Sequence, residues 1–226
     1  MKRTVIMATG FCLLALGAGC KDSADKERAG CECKCEQECP VDAQPTTTVT
    51  RWLGPKERTQ SHWAGMGEAV NQAGQPIDCQ GFAGMPTAMS FLYTRCQNPN
   101  KCPLVASTMA KLQGELKNEG LSDCVRLLVV TYDPEFDEPR LLQEYGARHG
   151  FAFGANAMYL RPAQARKMKL FDDLGVSVNF NAEGVNIHGI QLFLFDKEGR
   201  FVRRYHTLIW NNTEVVADLK KLSVEP

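Results

Sequence analysis

Apolar and polar positions fall into blocks along this chain, and the blocks predict its elements. The first apolar block, Val5 to Leu16, follows Lys2 and Arg3 and is too short to span a bilayer, so it predicts a removed targeting segment. From Lys21 to about Thr50 the chain is polar and then rich in Pro and Thr, as a tether is. Beyond it, Gly67 to Asn71 and Pro76 to Cys79 flank Gln72-Ala73-Gly74-Gln75 and read as a hairpin. Thr87 to Tyr93 reads as an apolar strand entered through Pro86. Behind Pro103, residues Leu104, Val105, Met109, Leu112 and Leu116 recur on one helical face, with Gly120 as the stop. Leu127 to Tyr132 is a continuous apolar run, the mark of a strand covered on both faces, and it predicts the centre of the sheet.

A second helix is expected with Asp137 as N-cap, Pro139 in the first turn, Leu141, Leu142 and Tyr145 inward, and Gly150 past its end. A third helix is expected from Pro162 to about Asp172. Ile190 to Phe195 and Phe201 to Tyr205 form a hairpin around Gly199, and Thr213 is expected to cap a last helix carrying Val215, Val216, Leu219 and Leu222. Strands alternating with helices, then a hairpin and a closing helix, predict an α/β three-layer sandwich with a mixed central sheet. The domains expected are a signal peptide over 1–19, a Cys-rich tether over 20–50 and one folded domain over 51–226.

Charge changes the picture by exclusion. Twenty-six Lys and Arg balance twenty-six Asp and Glu, so no basic field draws nucleic acid to the chain. The apolar block ends Leu16-Gly17-Ala18-Gly19-Cys20, which resembles the bacterial lipoprotein cleavage box with Cys20 as the lipidated N-terminus. It departs from that box in having Gly17, not Leu, three places before the cysteine; ordinary signal cleavage would leave Cys20 a plain thiol. Both readings export the chain, and the first makes it an extracytoplasmic, membrane-anchored lipoprotein on the periplasmic side of a bacterial membrane.

Ten cysteines in an exported chain suggest a disulfide framework, but their distribution opposes one. Cys31, Cys33, Cys35 and Cys39 sit together in the polar tether, either as a soft-metal trap or as oxidisable thiols. Cys79 and Cys124 read as buried small residues or a structural bridge. Cys96 and Cys102 remain, between the end of a strand and the start of a helix. Helix N-terminal N–H groups favour a thiolate, so Cys102 is expected to have a lowered pKa. The pair alone is compatible with a redox dithiol, a metal site or a structural disulfide.

Three segments in order, Phe91-Leu-Tyr-Thr-Arg-Cys96 through Cys102-Pro103, Thr131-Tyr-Asp133-Pro134-Glu-Phe-Asp137-Glu-Pro139, and His188 eight residues before Asp196, resemble the Sco/SenC family. That family comprises thioredoxin-like copper proteins of cytochrome c oxidase assembly, and the likeness covers about Gly67 to Leu222. It implies a thioredoxin-like fold with Cys96, Cys102 and His188 as ligands for Cu(I) and Cu(II), and a copper-accepting oxidase subunit as partner. Asp133 with Pro134 reads as shaping a turn and Asp137 as a helix cap, and at most the two orient the ligands from behind. The family loop usually holds three residues between its cysteines, whereas this one holds five, which bears on the angle between the thiolates. Two other functions stay open at this stage. One is a thiol:disulfide oxidoreductase using Cys96 and Cys102 on a redox partner; the other is a structural lipoprotein with that pair permanently bridged.

Overall fold

A computed structural model describes residues 48–182, 184–207 and 209–226. The expected signal peptide, Cys20 and the Cys31 to Cys39 cluster lie outside the described residues. In chain order the elements are β1 (Thr48–Val49), α1 (Trp63–Met66), β2 (Glu68–Asn71), β3 (Pro76–Asp78), a 3-10 turn (Cys79–Phe82), β4 (Thr87–Leu92), α2 (Cys102–Asn118) and β5 (Arg126–Thr131). They continue with α3 (Pro139–Arg148), β6 (Ala157–Pro162), α4 (Gln164–Leu174), β7 (Val178–Asn181), β8 (Gly184–His188), β9 (Gln191–Phe195), β10 (Phe201–His206) and α5 (Asn212–Val224).

Every residue of β4 and β5 is buried, as their unbroken apolar runs require, and these two strands form the middle of an eight-stranded sheet. Its order is β1-β10-β9-β4-β5-β6-β2-β3. Strands β4, β5 and β6 are parallel, while β9 runs antiparallel beside β4. Alternate side chains leave β5 on opposite faces: Leu127 and Val129 join one core, Leu128 and Val130 the other. On the first face Val105, Met109, Leu142, Val215 and Leu219 cover the sheet from α2, α3 and α5. On the second, Trp63, Met66, Leu170 and Phe171 cover it from α1 and α4. The result is the expected three-layer sandwich with a mixed sheet.

Several local expectations are corrected. The sheet starts before Arg51, because Thr48 and Val49 pair with His206 and Tyr205. Strand β6 and the separate β7–β8 hairpin were not foreseen; Pro162 closes β6, at a strand end where a missing N–H is tolerated, and α4 begins at Gln164. The N-cap of α3 is Glu138, not Asp137, whose side chain turns inward. Asn211 caps α5 by accepting a hydrogen bond from the Thr213 N–H, so Thr213 is the capped residue rather than the cap. Cys79 is buried but Cys124 is exposed, and both are free, so they form no bridge.

Candidate metal centre

Strand β4 ends at Leu92, and Tyr93, Thr94 and Arg95 carry the chain out to Cys96. This exit is fixed from below. The Asp137 carboxylate accepts from the Thr94 N–H at 3.2 and 3.3 Å, from the Thr94 hydroxyl at 2.5 Å and from the Thr131 hydroxyl, joining the ends of β4 and β5. Next along the chain, Arg95 pairs with Asp133 at 2.5 Å and stacks over Phe136 at 4.1 Å. The two aspartates thus hold consecutive residues immediately before Cys96.

The five residues between the cysteines are not slack. Asn98 accepts from the Asn100 N–H through its side chain (2.9 Å) and from the Lys101 N–H through its carbonyl (3.0 Å), rolling the spacer into a turn. That turn returns the chain to Cys102, the first residue of α2, with Pro103 in the first turn, where its missing N–H is not needed. His188 ends β8 and lies just ahead of β9, the strand antiparallel to β4, so the topology delivers it to the end of the sheet where β4 finishes.

Three donor atoms meet there. His188 Nε2 stands 3.6 Å from the sulfur of Cys96 and 3.6 Å from that of Cys102, and all three donors lie within 4.8 Å of one another. Metal bonds of about 2.0–2.3 Å to nitrogen and sulfur put the donors of a trigonal or tetrahedral site about 3.3–4 Å apart, so the spacing suits a single ion. The other imidazole nitrogen, Nδ1, faces the Gly189 carbonyl at 3.4 Å; an N–H there leaves the Nε2 lone pair directed at the sulfurs. Tyr93 meets the His188 ring edge-on and Tyr132 lies tilted against it, each with ring centroids 5.3 Å away. The Tyr132 hydroxyl also donates to the Gly189 carbonyl at 3.1 Å. Cys102 is fully buried, and Cys96, at 8%, is the most exposed of the three donors.

The electrostatics reverse one expectation. Cys96, not Cys102, has the lowered pKa: the Cys102 thiol donates to it and stabilises its thiolate. Cys102 is pushed far up, first by burial and then by the neighbouring Cys96. The helix start alone does not decide the matter, because two sulfurs this close cannot both ionise readily without a cation between them. A soft metal ion would supply that cation, with both sulfurs as its ligands. Burial also raises Asp137, against the opposing hydrogen bonds from Thr131 and Thr94, and raises Tyr93 to about 12.

The structure therefore brings Cys96, Cys102 and His188 together and puts Asp133 and Asp137 behind the strand exit. Tyr93, Tyr132, Thr94, Thr131 and Lys101 also contribute and were not singled out from sequence. Thr94 and Thr131 had a faint signal as hydroxyls closing two apolar strands. Lys101 had a stronger one, as a cation at a helix N-cap.

A three-layer domain that presents two thiols and one imidazole at a strand-to-helix junction defines a thioredoxin-like protein whose three donors could hold a metal ion. The chain belongs to the SCO1/SenC family, whose model matches residues 55–223. It is similar to a SCO1/SenC family lipoprotein from Bacillus anthracis, with 27% identity, TM-score 0.61, and coverage of 69% of this chain and 92% of that one. It also resembles BsSco, a member of the Sco family of cytochrome c oxidase assembly proteins in which a disulfide switch was identified (22%, TM-score 0.60, coverage 80% and 97%). Copper-bound ScoI from Bradyrhizobium japonicum shares the fold at 24% identity and TM-score 0.54, over 69% of this chain and 96% of that one.

Proposed function

We propose that this chain is an extracytoplasmic copper-binding protein that holds the ion at Cys96, Cys102 and His188 and delivers it to an oxidase subunit during respiratory oxidase assembly. The observation that carries the reading is the equal 3.6 Å approach of His188 Nε2 to both sulfurs. Two thiolates suit Cu(I), and the added imidazole lets the same three donors keep Cu(II). Copper is the cargo: an acceptor with exposed soft ligands takes it by ligand exchange, entering on the Cys96 side. Asp133 and Asp137 act behind the ligands by fixing Arg95 and Thr94. Lipidation at Cys20 tethers the domain to the membrane, a reading supported by the cleavage-box resemblance and by the lipoprotein among its relatives. Among the described residues no helix is long and apolar enough to cross a membrane.

Copper titration tests this in the full chain with Cys12, Cys20, Cys31, Cys33, Cys35 and Cys39 replaced by serine, so that uptake reports on the domain. One equivalent of Cu(II) should bind, and it should be lost in Cys96→Ser and in His188→Ala. No stoichiometric uptake, or uptake unchanged in His188→Ala, would sink the proposal.

A second reading rests on the same sulfurs. Cys96 and Cys102 are free and close, which also suits a thiol:disulfide oxidoreductase in which one thiolate attacks a partner disulfide and the other resolves the mixed disulfide. Insulin reduction that survives His188→Ala would favour that activity, since it needs both cysteines but not the imidazole.

A further inference from the structure

Lys101 breaks a local rule. It occupies the N-cap of α2, where Ser, Thr, Asp or Asn is preferred, and its side chain makes no capping bond. A cation at this end also opposes the helix dipole. Local rules broken without structural gain collect at functional sites, and here the side chain has a specific destination. Its ammonium reaches across to the His188 main-chain carbonyl and donates to it at 3.2 Å.

That contact joins the two halves of the metal centre, which lie on separate parts of the chain. One half is the cysteine turn and the start of α2; the other is the end of β8. Within the turn, the Lys101 N–H bonds to the Asn98 carbonyl and its own carbonyl accepts from the Val105 N–H at 2.9 Å, so the lysine backbone is anchored on both sides. Its side chain is therefore a strut between a fixed turn and the histidine strand. The spacer that is two residues longer than the usual family loop contains this strut.

We propose that Lys101 is a positioning residue for the metal centre, a cross-link from the cysteine spacer that holds the His188 backbone in place so that its imidazole faces both sulfurs. The proposal rests on the copper reading above. It predicts an asymmetry between oxidation states. Cu(I) is held mainly by the two thiolates, which Lys101 does not touch, whereas Cu(II) depends on the imidazole that Lys101 places.

The test compares Lys101→Met and Lys101→Arg with the parent chain in the serine background, measuring Cu(II) and Cu(I) affinity by competition with chelators and recording the thiolate-to-Cu(II) absorption and the paramagnetic resonance spectrum. Lys101→Met should lose about tenfold or more in Cu(II) affinity, the usual effect of removing a group that orients a ligand, with a changed Cu(II) spectrum. Its Cu(I) affinity should stay near the parent value, and Lys101→Arg, which keeps a donor, should recover most of the Cu(II) affinity. Lys101→Met with parental Cu(II) affinity and spectrum overturns the proposal while leaving the copper reading intact. Equal losses for both oxidation states, or no recovery with arginine, overturn it as well. A parent chain that takes up no copper overturns both.

Discussion

His188 and Cys102 are separated by 86 positions, yet the imidazole Nε2 and the buried sulfur come to 3.6 Å because β9 runs antiparallel beside β4. The histidine is thus delivered by sheet topology and the cysteine by a helix start. His188→Ala should remove the Cu(II) ligand without disturbing the thiolate pair. Cu(II) affinity should fall by about a hundredfold or more and Cu(I) affinity by much less, since loss of an orienting group alone already costs 10–100-fold. Chelator competition in each oxidation state checks this, and equal losses would count against the division of labour.

Asp137 gives a pH dependence with a definite sign. Burial raises its folded-state pKa above the ordinary 3.8, so between that value and the raised one the folded chain holds more protons than the unfolded chain. Its contribution to stability is fully present below 3.8 and is lost as pH rises through the window. Asp137→Asn, which keeps an acceptor for Thr94 but cannot ionise, should remove this slope. Urea unfolding of both chains across acidic to neutral pH measures it; a variant that loses stability relative to the parent as pH rises would contradict the assignment.

The Tyr132 hydroxyl supports the residue that follows the histidine by donating to the Gly189 carbonyl at 3.1 Å. Tyr132→Phe deletes one neutral hydrogen bond and leaves the ring against His188, so about 1 kcal/mol of stability should be lost. Denaturant midpoints at constant m-value report the change. Unaltered stability would mean that this bond does not form in solution.

Gly199 in the β9–β10 turn packs closely against Trp63. Its φ is +77°, and a Cβ there would collide with the Trp63 indole nitrogen. Gly199→Ala should therefore combine left-handed strain with overpacking of the α1 core, a cost of about 2–4 kcal/mol. Thermal and urea unfolding would show it, and a neutral substitution would mean that Trp63 is free to move.

The sequence was most informative where one residue type had one purpose. The apolar runs of β4 and β5 and the 3.6-residue stripe of α2 are local patterns, and each predicted its element. Gly199, with its positive φ, similarly marked the β9–β10 turn. The three donors were legible through the family resemblance, because nothing local links His188 to cysteines 86 and 92 positions away. Asp137 was misread because Asp before Pro139 is a good helix-cap signal. A tertiary demand, the unpaired Thr94 N–H at the end of β4, took its carboxylate instead. The β7–β8 hairpin did carry a signal, Val178, Phe180, Val185 and Ile187 alternating with asparagines on either side of Gly184, but its strands are short, partly exposed and apart from the main sheet. The thiolate assignment failed because the helix start favours a Cys102 thiolate only locally, whereas burial first and then the neighbouring Cys96 push that thiol up.

X-ray absorption at the copper edge tests the central claim most directly, with the chain in its serine background loaded with one equivalent of copper. The spectrum should fit two sulfur scatterers and one imidazole nitrogen at about 2.0–2.3 Å. The sulfur shell should vanish in the Cys96→Ser, Cys102→Ser double variant. A shell of nitrogen and oxygen alone, or sulfur scattering that survives in the double variant, would contradict a copper centre at Cys96, Cys102 and His188.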